Sequence, residues 1–309
     1  MKFGAPEEIL TQAKPHIGTD VLKTVVKNIR EEIKSLGGEV RFNTLVTGIS
    51  VSEDRRIKAV ICRDSITGEN FEIETDAAVF AIGHSSRDTF RWLRDAGIEM
   101  TQKPFSIGVR IEHPQDIIDI SQYGKPAREV GLPVAEYKIN HRCENGRGVY
   151  TFCMCPGGQV VAAASEAGGV VVNGMSLNAR ASGVANSALV VNVGPEDFGA
   201  DPLAGMEFQR KYERLAYECG GSSYAAPAQN FGSFLNKGIP DLRSLVEPTY
   251  RPNLTACSLD KVLPNYVTNT LREGIVNFGR KIKGYDDAFI SWINSACHYS
   301  STLVDRIVP

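Results

Sequence analysis

Two cysteines separated by one residue are the clearest candidates for redox chemistry in the sequence. Cys153 and Cys155 lie in a short run that ends in Pro156, Gly157 and Gly158. Residues two apart on a strand point to the same face, so the two thiols are expected to lie together. Thiols of this kind serve redox or nucleophilic chemistry, but buried cysteines also fill small spaces in cores. No further cysteine pair or histidine stands at ligand spacing, so no metal site is expected.

A charged pair ends the apolar run at 105–111. Arg110 and Glu112 alternate with Val109 and Ile111, so the two charged side chains share one face of the predicted strand. An arginine and a carboxylate in this arrangement can bind an anionic substrate or guide a proton. They can equally form a solvated ion pair, which is the commoner outcome.

His16 stands just before a predicted helix, within the stretch KPHIGTD at 14–20. The positive end of a helix can hold an anion, and a histidine there can transfer a proton near neutral pH. In the simpler interpretation Thr19 or Asp20 caps the helix and His16 only fills a turn. The candidate catalytic residues are therefore His16, Arg110, Glu112 and Cys153.

Residues 76–90 have the pattern of a strand that leads to a ligand. Small and branched apolar residues fill 77–82, and Gly83 and His84 follow them. This pattern predicts a fully buried strand, with a glycine at its end that lets a ligand approach the backbone. In the alternative interpretation, Gly83 only ends a buried strand and no ligand approaches it. The stretch NGMS at 173–176 likewise predicts either a tight turn or backbone close to a ligand.

The elements that position these residues change in character near Pro104. Before it, periodicity predicts a helix at 19–36, strands at 39–42 and 44–51, a hairpin from 57–63 and 70–74, and a helix at 86–96. After it, strand-like runs dominate, at 105–111, 134–139, 149–154, 159–163, 170–173 and 188–193. Helical patterns return at 203–219 and 259–275. The expected fold class is α/β with a β-rich inserted domain.

Composition excludes several classes of partner. The 309 residues are 42% apolar and carry a net charge of −2, and no stretch clusters basic with aromatic residues, which argues against nucleic acid. No apolar run reaches the roughly 18–20 residues of a membrane helix. The first residues lack the features of a signal peptide, and seven scattered cysteines do not form a disulfide framework. A cytoplasmic protein with a small-molecule substrate is expected.

Several long stretches together resemble one family, the bacterial FAD-dependent dehydrogenases, which are flavoproteins of the glutathione-reductase structural class with an inserted substrate domain. The stretches are KPHIGTD (14–20), GGEVRFNT (37–44), PFSIGVRIEHPQ (104–115), RGVYTFCMCPGGQVV (147–161), VVNGMS (171–176), NSALVV (186–191), DPLAGMEFQR (201–210) and EPTYRP (247–252). The resemblance implies FAD as cofactor, with NAD(P) left open. It also implies a partial three-layer FAD/NAD(P)-binding domain at 1–103, an α+β substrate domain at 104–275, and a return to the first domain at 276–309.

The resemblance also implies residues that line the cofactor. The backbone of Val46 would contact the adenine, and Ala81, Gly83 and His84 would lie along the cofactor. The sequence departs from the family pattern in two places. No G-x-G-x-x-G stretch precedes residue 76, and near the C-terminus only Ser300–Ser301 and the run at 306–308 match the family.

These departures set the functional expectation. The chain is expected to be an incomplete FAD-dependent oxidoreductase of unknown substrate, inactive by itself. The alternative is a non-catalytic fragment, or a binding or assembly module, that does not hold FAD. In either case an incomplete flavin domain should expose an apolar face that favours aggregation.

Overall fold

The computed structural model describes residues 2–13, 15–54 and 56–293. The fold is mixed α/β, as the sequence predicts. Its helices are α1 (Thr19–Ser35), α2 (Arg87–Asp95), α3 (Gln115–Tyr123), α4 (Ala127–Val130), α5 (Pro195–Phe198), α6 (Ala204–Cys219), α7 (Phe231–Leu235) and α8 (Asn265–Gly279). Its strands are β1 (Thr44–Val51), β2 (Ile57–Asp64), β3 (Asn70–Glu74), β4 (Phe105–Pro114), β5 (Asn140–Arg142), β6 (Gly148–Cys155), β7 (Gln159–Ala162), β8 (Val172–Met175), β9 (Val184–Val193), β10 (Ala226–Asn230), β11 (Leu254–Ala256) and β12 (Phe289–Ile293). The family-like residues Ser300–Ser301 and 306–308 lie outside the described residues.

The described chain divides into two compact units. Unit 1 contains the described residues of Met1–Asn28, Phe105–Val193 and Phe208–Ala296. Unit 2 contains those of Ile29–Pro104 and Gly194–Glu207. The chain therefore passes between the two units several times.

Unit 1 is built on a seven-stranded sheet with the order β11-β10-β12-β4-β9-β6-β5. β4 and β9 pair antiparallel along ten residues each, from Phe105↔Val193 to Pro114↔Val184. Nearly every residue of these two strands is buried, because both faces of the sheet are covered. Arg110 and Glu112 of β4 are therefore buried charges rather than a solvated pair.

Unit 2 contains a three-stranded antiparallel sheet with the order β1-β2-β3. Beside it, α2 contributes Phe90 and Leu93 to a small apolar core completed by Met100, Leu203 and Met206. Gly97, with a φ of 78°, ends the turn after α2 in the left-handed region that favours glycine.

The buried strand predicted at 77–82 is wrong. The segment has no regular secondary structure and pairs with no strand of the described chain, and Val79 is 93% exposed. Phe80 and Ile82 pack against the α2 core while the opposite face stays open. A central strand needs hydrogen-bonded neighbours on both sides, and apolar composition alone cannot supply them.

Two other strand predictions are also wrong, and four short strands, β5, β10, β11 and β12, escape prediction. Residues 39–42 and 134–139 are irregular, and the second stretch precedes the short strand β5. β10, β11 and β12 have only three to five residues each, too few for alternation to stand out.

Helix α1 leaves an apolar stripe exposed along its length. Leu22, Val26, Ile29 and Ile33 recur at three- and four-residue spacing, and each is more than one-third exposed. Val25 is the buried residue of the same helix. Among the described helices, none is both long and apolar enough to cross a membrane.

Candidate functional site

Arg110 is the centre of a buried polar cluster in unit 1. Its side chain is fully buried on β4. Nε donates to Oδ1 of Asn186 at 2.8 Å, and Nη2 donates to the Cys153 carbonyl at 2.8 Å and to Sγ of Cys155 at 3.3 Å. Nη1 has no hydrogen-bond partner in the described chain. A buried guanidinium with one free donor is costly unless a negative charge lies beside it.

Cys155 can supply that negative charge. Hydrogen bonding from the Cys153 thiol, together with the charge and hydrogen bond of Arg110, lowers the pKa of the Cys155 thiol below its ordinary range. His16 contributes in the same direction. Because Cys153 shares its hydrogen with Cys155 and lies beside the Cys155 sulfur, the pKa of the Cys153 thiol is raised. Of the two thiols, Cys155 is therefore the one that loses its proton more readily.

A bulge in β6, and not regular strand alternation, brings the two thiols together. Cys153 has a positive φ of 45°, and the pairing of β6 with β9 shifts between Phe152 and Cys155. This bulge leaves Cys153 exposed and Cys155 buried. The cluster is thus reachable from solvent through Cys153, while the thiolate side is shielded.

Gly174 of β8 makes room for the guanidinium. A Cβ at this position would overlap the Arg110 side chain and Oδ1 of Asn186. The sequence pattern NGMS predicts either a tight turn or backbone close to a ligand, and the structure places this backbone against Arg110. The glycine is needed for close approach, not for an unusual φ.

Glu112 lies two residues beyond Arg110 on β4 and is buried. Its Oε1 accepts from the Thr249 hydroxyl at 2.6 Å and from the Thr249 backbone N–H at 3.1 Å. Oε2 has no partner in the described chain. Burial raises the pKa of this carboxyl, and the hydrogen bonds from Thr249 only partly oppose the effect. Glu112 is therefore biased toward the protonated form, as a general acid would be.

His16 lies against the segment that follows β8. Its Nε2 is 3.3 Å from the Ser176 hydroxyl and 3.2 Å from the Leu177 carbonyl. Thr19 donates its backbone N–H to the Ser176 carbonyl, and Asp20 accepts from the Asn178 backbone. The same segment thus anchors the start of α1 and brings His16 within electrostatic range of Cys155.

The four candidate catalytic residues all lie in unit 1, and their surroundings suggest one type of chemistry. Arg110 donates a hydrogen bond to Cys155, whose thiol has a lowered pKa, while Cys153 is an exposed thiol and Glu112 is a buried acid. Such a group suits a small substrate that reacts with a thiolate or carries a negative charge next to a proton donor. The sequence pattern gives no sign of Asn186, since an asparagine inside an apolar strand is recognisable only from its contact with Arg110.

The four candidate cofactor-binding residues lie in unit 2. Val46 pairs with Cys62 across β1 and β2. Ala81 and Gly83 lie in the open segment after β3, and a Cβ at Gly83, whose φ is 69°, would meet no atom within 4 Å. His84 is exposed beside Ser85. The structure places these four residues in one unit, and their contact with FAD stays a prediction.

Comparison with known proteins identifies the chain at the family level. It is 50% identical over 299 residues to a protein of Clostridium beijerinckii (strain ATCC 51743 / NCIMB 8052) named "Uncharacterized protein". The match covers 96% of this chain and 55% of that relative, so the chain spans about half the relative's length. Residues 104–295 match the sequence model of the family "FAD-dependent protein, C-terminal domain-like". Because this match covers more than half of its residues, the chain belongs to that family of FAD-dependent proteins.

Proposed function

We propose that this chain functions within an FAD-dependent oxidoreductase of the dehydrogenase type, of the glutathione-reductase structural class, that acts on a small-molecule substrate. The observation that carries the proposal is the family match at 104–295, the region that also contains Arg110, Cys153 and Cys155. The family description names FAD and does not name NAD(P). The proposal therefore rests on FAD alone.

In this proposal unit 1 provides the groups that face the substrate. Electron transfer belongs to the flavin, and the protein contributes binding, orientation and electrostatics. Arg110 would hold a negative charge, either the Cys155 thiolate or an anionic group of the substrate, through its unpaired Nη1 donor. Glu112 would keep a proton available beside it. Cys153 would be the thiol that substrate meets first, because it is the exposed member of the pair.

Titration with FAD tests the cofactor. The purified chain is mixed with FAD and the quenching of flavin fluorescence is followed, with the Clostridium beijerinckii relative purified in parallel as the longer reference. We expect the relative to be yellow and to release FAD on denaturation. A colourless relative that does not quench FAD fluorescence would overturn the proposal for the family and for this chain.

Small anions test the substrate side independently of flavin. Short-chain carboxylates and inorganic phosphate are screened for an increase in the melting temperature of the chain. We expect stabilisation that is lost in Arg110→Met and kept in Arg180→Met, whose guanidinium donates to Glu136 and not to Asn186 or Cys155. Equal stabilisation of the two variants would show that Arg110 does not bind the anion.

A specific observation favours a second function, that of a binding or assembly module without FAD. The segment at 77–82 exposes alternate residues, and its backbone pairs with no strand in the described chain. An exposed, unpaired backbone segment can add a strand from another polypeptide. A chain that fails to quench FAD fluorescence, while the longer relative does so, would support this second function.

A further inference from the structure

Unit 1 contains another group of reactive side chains, separate from the Arg110 cluster. His141 is the middle residue of β5, and Cys143 follows the strand directly. The two are separated by one residue in extended chain, so both side chains point toward α8. There Glu273 meets them, with Oε1 at 3.1 Å from Nε2 of His141. The imidazole, thiol and carboxylate ligand atoms all lie within 4.8 Å of one another.

Short local contacts fix each of these residues. The turn after Cys143 is closed by its backbone N–H, which donates to the Arg147 carbonyl, and by Gly146, which donates to the Cys143 carbonyl. The Glu144 backbone N–H donates to both carboxylate oxygens of Glu273, at 3.1 and 3.3 Å. The ligand atoms are therefore held by a tight hairpin turn on one side and a helix on the other. Such second contacts orient metal ligands and strengthen binding.

The donor set selects the kind of ion. One imidazole, one thiolate and one carboxylate suit Zn²⁺, whereas Mg²⁺ and Ca²⁺ prefer oxygen ligands alone. Bond lengths of about 2.0–2.3 Å place tetrahedral zinc ligands roughly 3.3–3.8 Å apart, so a side-chain adjustment of about 1 Å closes the site. Deprotonated Cys143 and Glu273 together carry the two negative charges that balance the ion.

The site opens into a cavity of about 460 Å³. His141, Cys143 and Glu273 line it, together with Asn277, one helical turn beyond Glu273 on α8. The buried Oδ1 of Asn277 has no hydrogen-bond partner in the described chain. A water bound to a metal ion is a strong donor, and an acceptor in this position is suited to receive its hydrogen.

Nearby arginines do not exclude a cation. Arg272, which also lines the cavity, is paired with Asp260 at 2.5 Å and stacks over the ring of Phe234. Arg142 and Arg280 are exposed, so solvent and salt screen their charges. These two arginines would instead favour a small anion in the open coordination position.

We propose that His141, Cys143 and Glu273 bind a divalent transition-metal ion, Zn²⁺ by their chemistry, with the fourth coordination position open to the cavity. Three protein ligands and one exchangeable position are the arrangement of catalytic rather than structural zinc sites. The open position would hold water or a small anionic ligand. The sequence expectation that the chain has no metal site would then be wrong, since the third ligand comes from a helix about 130 residues downstream.

Cobalt provides a direct spectroscopic test. Reduced, chelator-treated protein is titrated with Co²⁺, which takes zinc sites and gives a thiolate charge-transfer band and visible d–d bands. We expect one Co²⁺ per chain, displacement by one Zn²⁺, and a rise in melting temperature with Zn²⁺. Absence of a thiolate band at stoichiometric Co²⁺ would overturn the proposal.

Matched variants locate the metal. Cys143→Ser should abolish the thiolate band, and Glu273→Gln should weaken binding by more than the 10–100-fold typical of outer contacts. Cys219→Ser, at the end of α6, and the double variant Cys153→Ser/Cys155→Ser should retain both band and affinity. A band that survives in Cys143→Ser but is lost in Cys153→Ser/Cys155→Ser would overturn the assignment. If circular dichroism shows that Cys143→Ser does not fold, Glu273→Gln becomes the deciding variant. An unchanged affinity of Glu273→Gln for Co²⁺ would then overturn the proposal.

Discussion

The guanidinium of Arg110 donates a hydrogen bond to Sγ of Cys155 at 3.3 Å, inside a sheet that buries both residues. No carboxylate of the described chain lies within ion-pair distance of Arg110. The lowered pKa of the Cys155 thiol makes it the group of this cluster best suited to carry the negative charge that a buried cation requires.

Removal of the arginine should return the thiol to ordinary behaviour. In Arg110→Met we expect the pKa of Cys155 to rise to or above the roughly 8.5 of a free cysteine, because burial then acts without a cation. Ultraviolet absorbance of thiolate, followed against pH, measures the change. The fold should survive, since a buried charge can often be replaced by an apolar side chain of similar volume. Arg180→Met is the control, and an unchanged titration in Arg110→Met would contradict the pairing.

Gly174 should be as sensitive as Arg110 itself. The Cβ of Gly174→Ala would occupy the position of the guanidinium, so we expect a loss of about 1–3 kcal/mol in the free energy of unfolding. The pKa of Cys155 should rise together with this loss. Urea unfolding and thiolate absorbance report the two effects. Gly148→Ala, on β6, is the matched control because no atom lies within 4 Å of its added Cβ. Equal stability of the two variants would show that Arg110 can move aside without cost.

His113 should make the stability of the protein depend on pH. It is fully buried, and its Nε2 donates to the Tyr285 carbonyl at 2.8 Å while Nδ1 has no partner in the described chain. Burial lowers the pKa of His113 from 6.5 to about 4, with the bond to Tyr285 and the charge of Asp286 opposing the shift. Between pH 4 and pH 6.5, His113 is therefore protonated in the unfolded chain and neutral in the folded chain. Stability is therefore fully present above pH 6.5 and is lost as pH falls toward 4, by up to about 3 kcal/mol.

The variant His113→Gln isolates this contribution. Glutamine cannot be protonated, and its amide can still donate to the Tyr285 carbonyl. The difference in unfolding free energy between the wild type and His113→Gln should change across the same pH window, whereas the difference for Gly148→Ala, which removes no titratable group, should stay constant. A constant difference for His113→Gln as well would show that His113 does not titrate on unfolding.

The apolar stripe of α1 should control solubility. Leu22, Val26, Ile29 and Ile33 expose apolar surface that favours association with other molecules. Val26→Lys with Ile33→Lys should lower light scattering and the binding of a hydrophobic dye. Lys27→Glu, elsewhere on the helix, is the control that changes the net charge by two units but leaves the apolar stripe intact. Scattering that is the same in the double variant and the wild type would assign aggregation to another surface.

Long periodic elements could be predicted from the sequence, and sites formed by distant contacts could not. The helix at 19–36 and the hairpin at 57–74 appear within one or two residues of their predicted bounds, because seven or more residues repeat a single pattern. The segment 77–82 has the apolar composition of a central strand but lacks neighbours, and composition cannot reveal that. Arg110 and Cys155 are visible as residue types, yet their pairing depends on a bulge and on Gly174, which only the folded backbone shows.

The position of β12 has a consequence for synthesis of the protein. This strand, the last in the described chain, lies between β10 and β4 and pairs Phe289 with Glu112. Residues separated by more than 170 positions must therefore meet before the sheet is continuous, and such non-local pairing slows folding. Until β12 has left the ribosome, the edge of β4 that pairs with it has no partner strand. Arg110 and Glu112 lie on this strand. Nascent chains should thus depend on chaperones until β12 has been translated and paired.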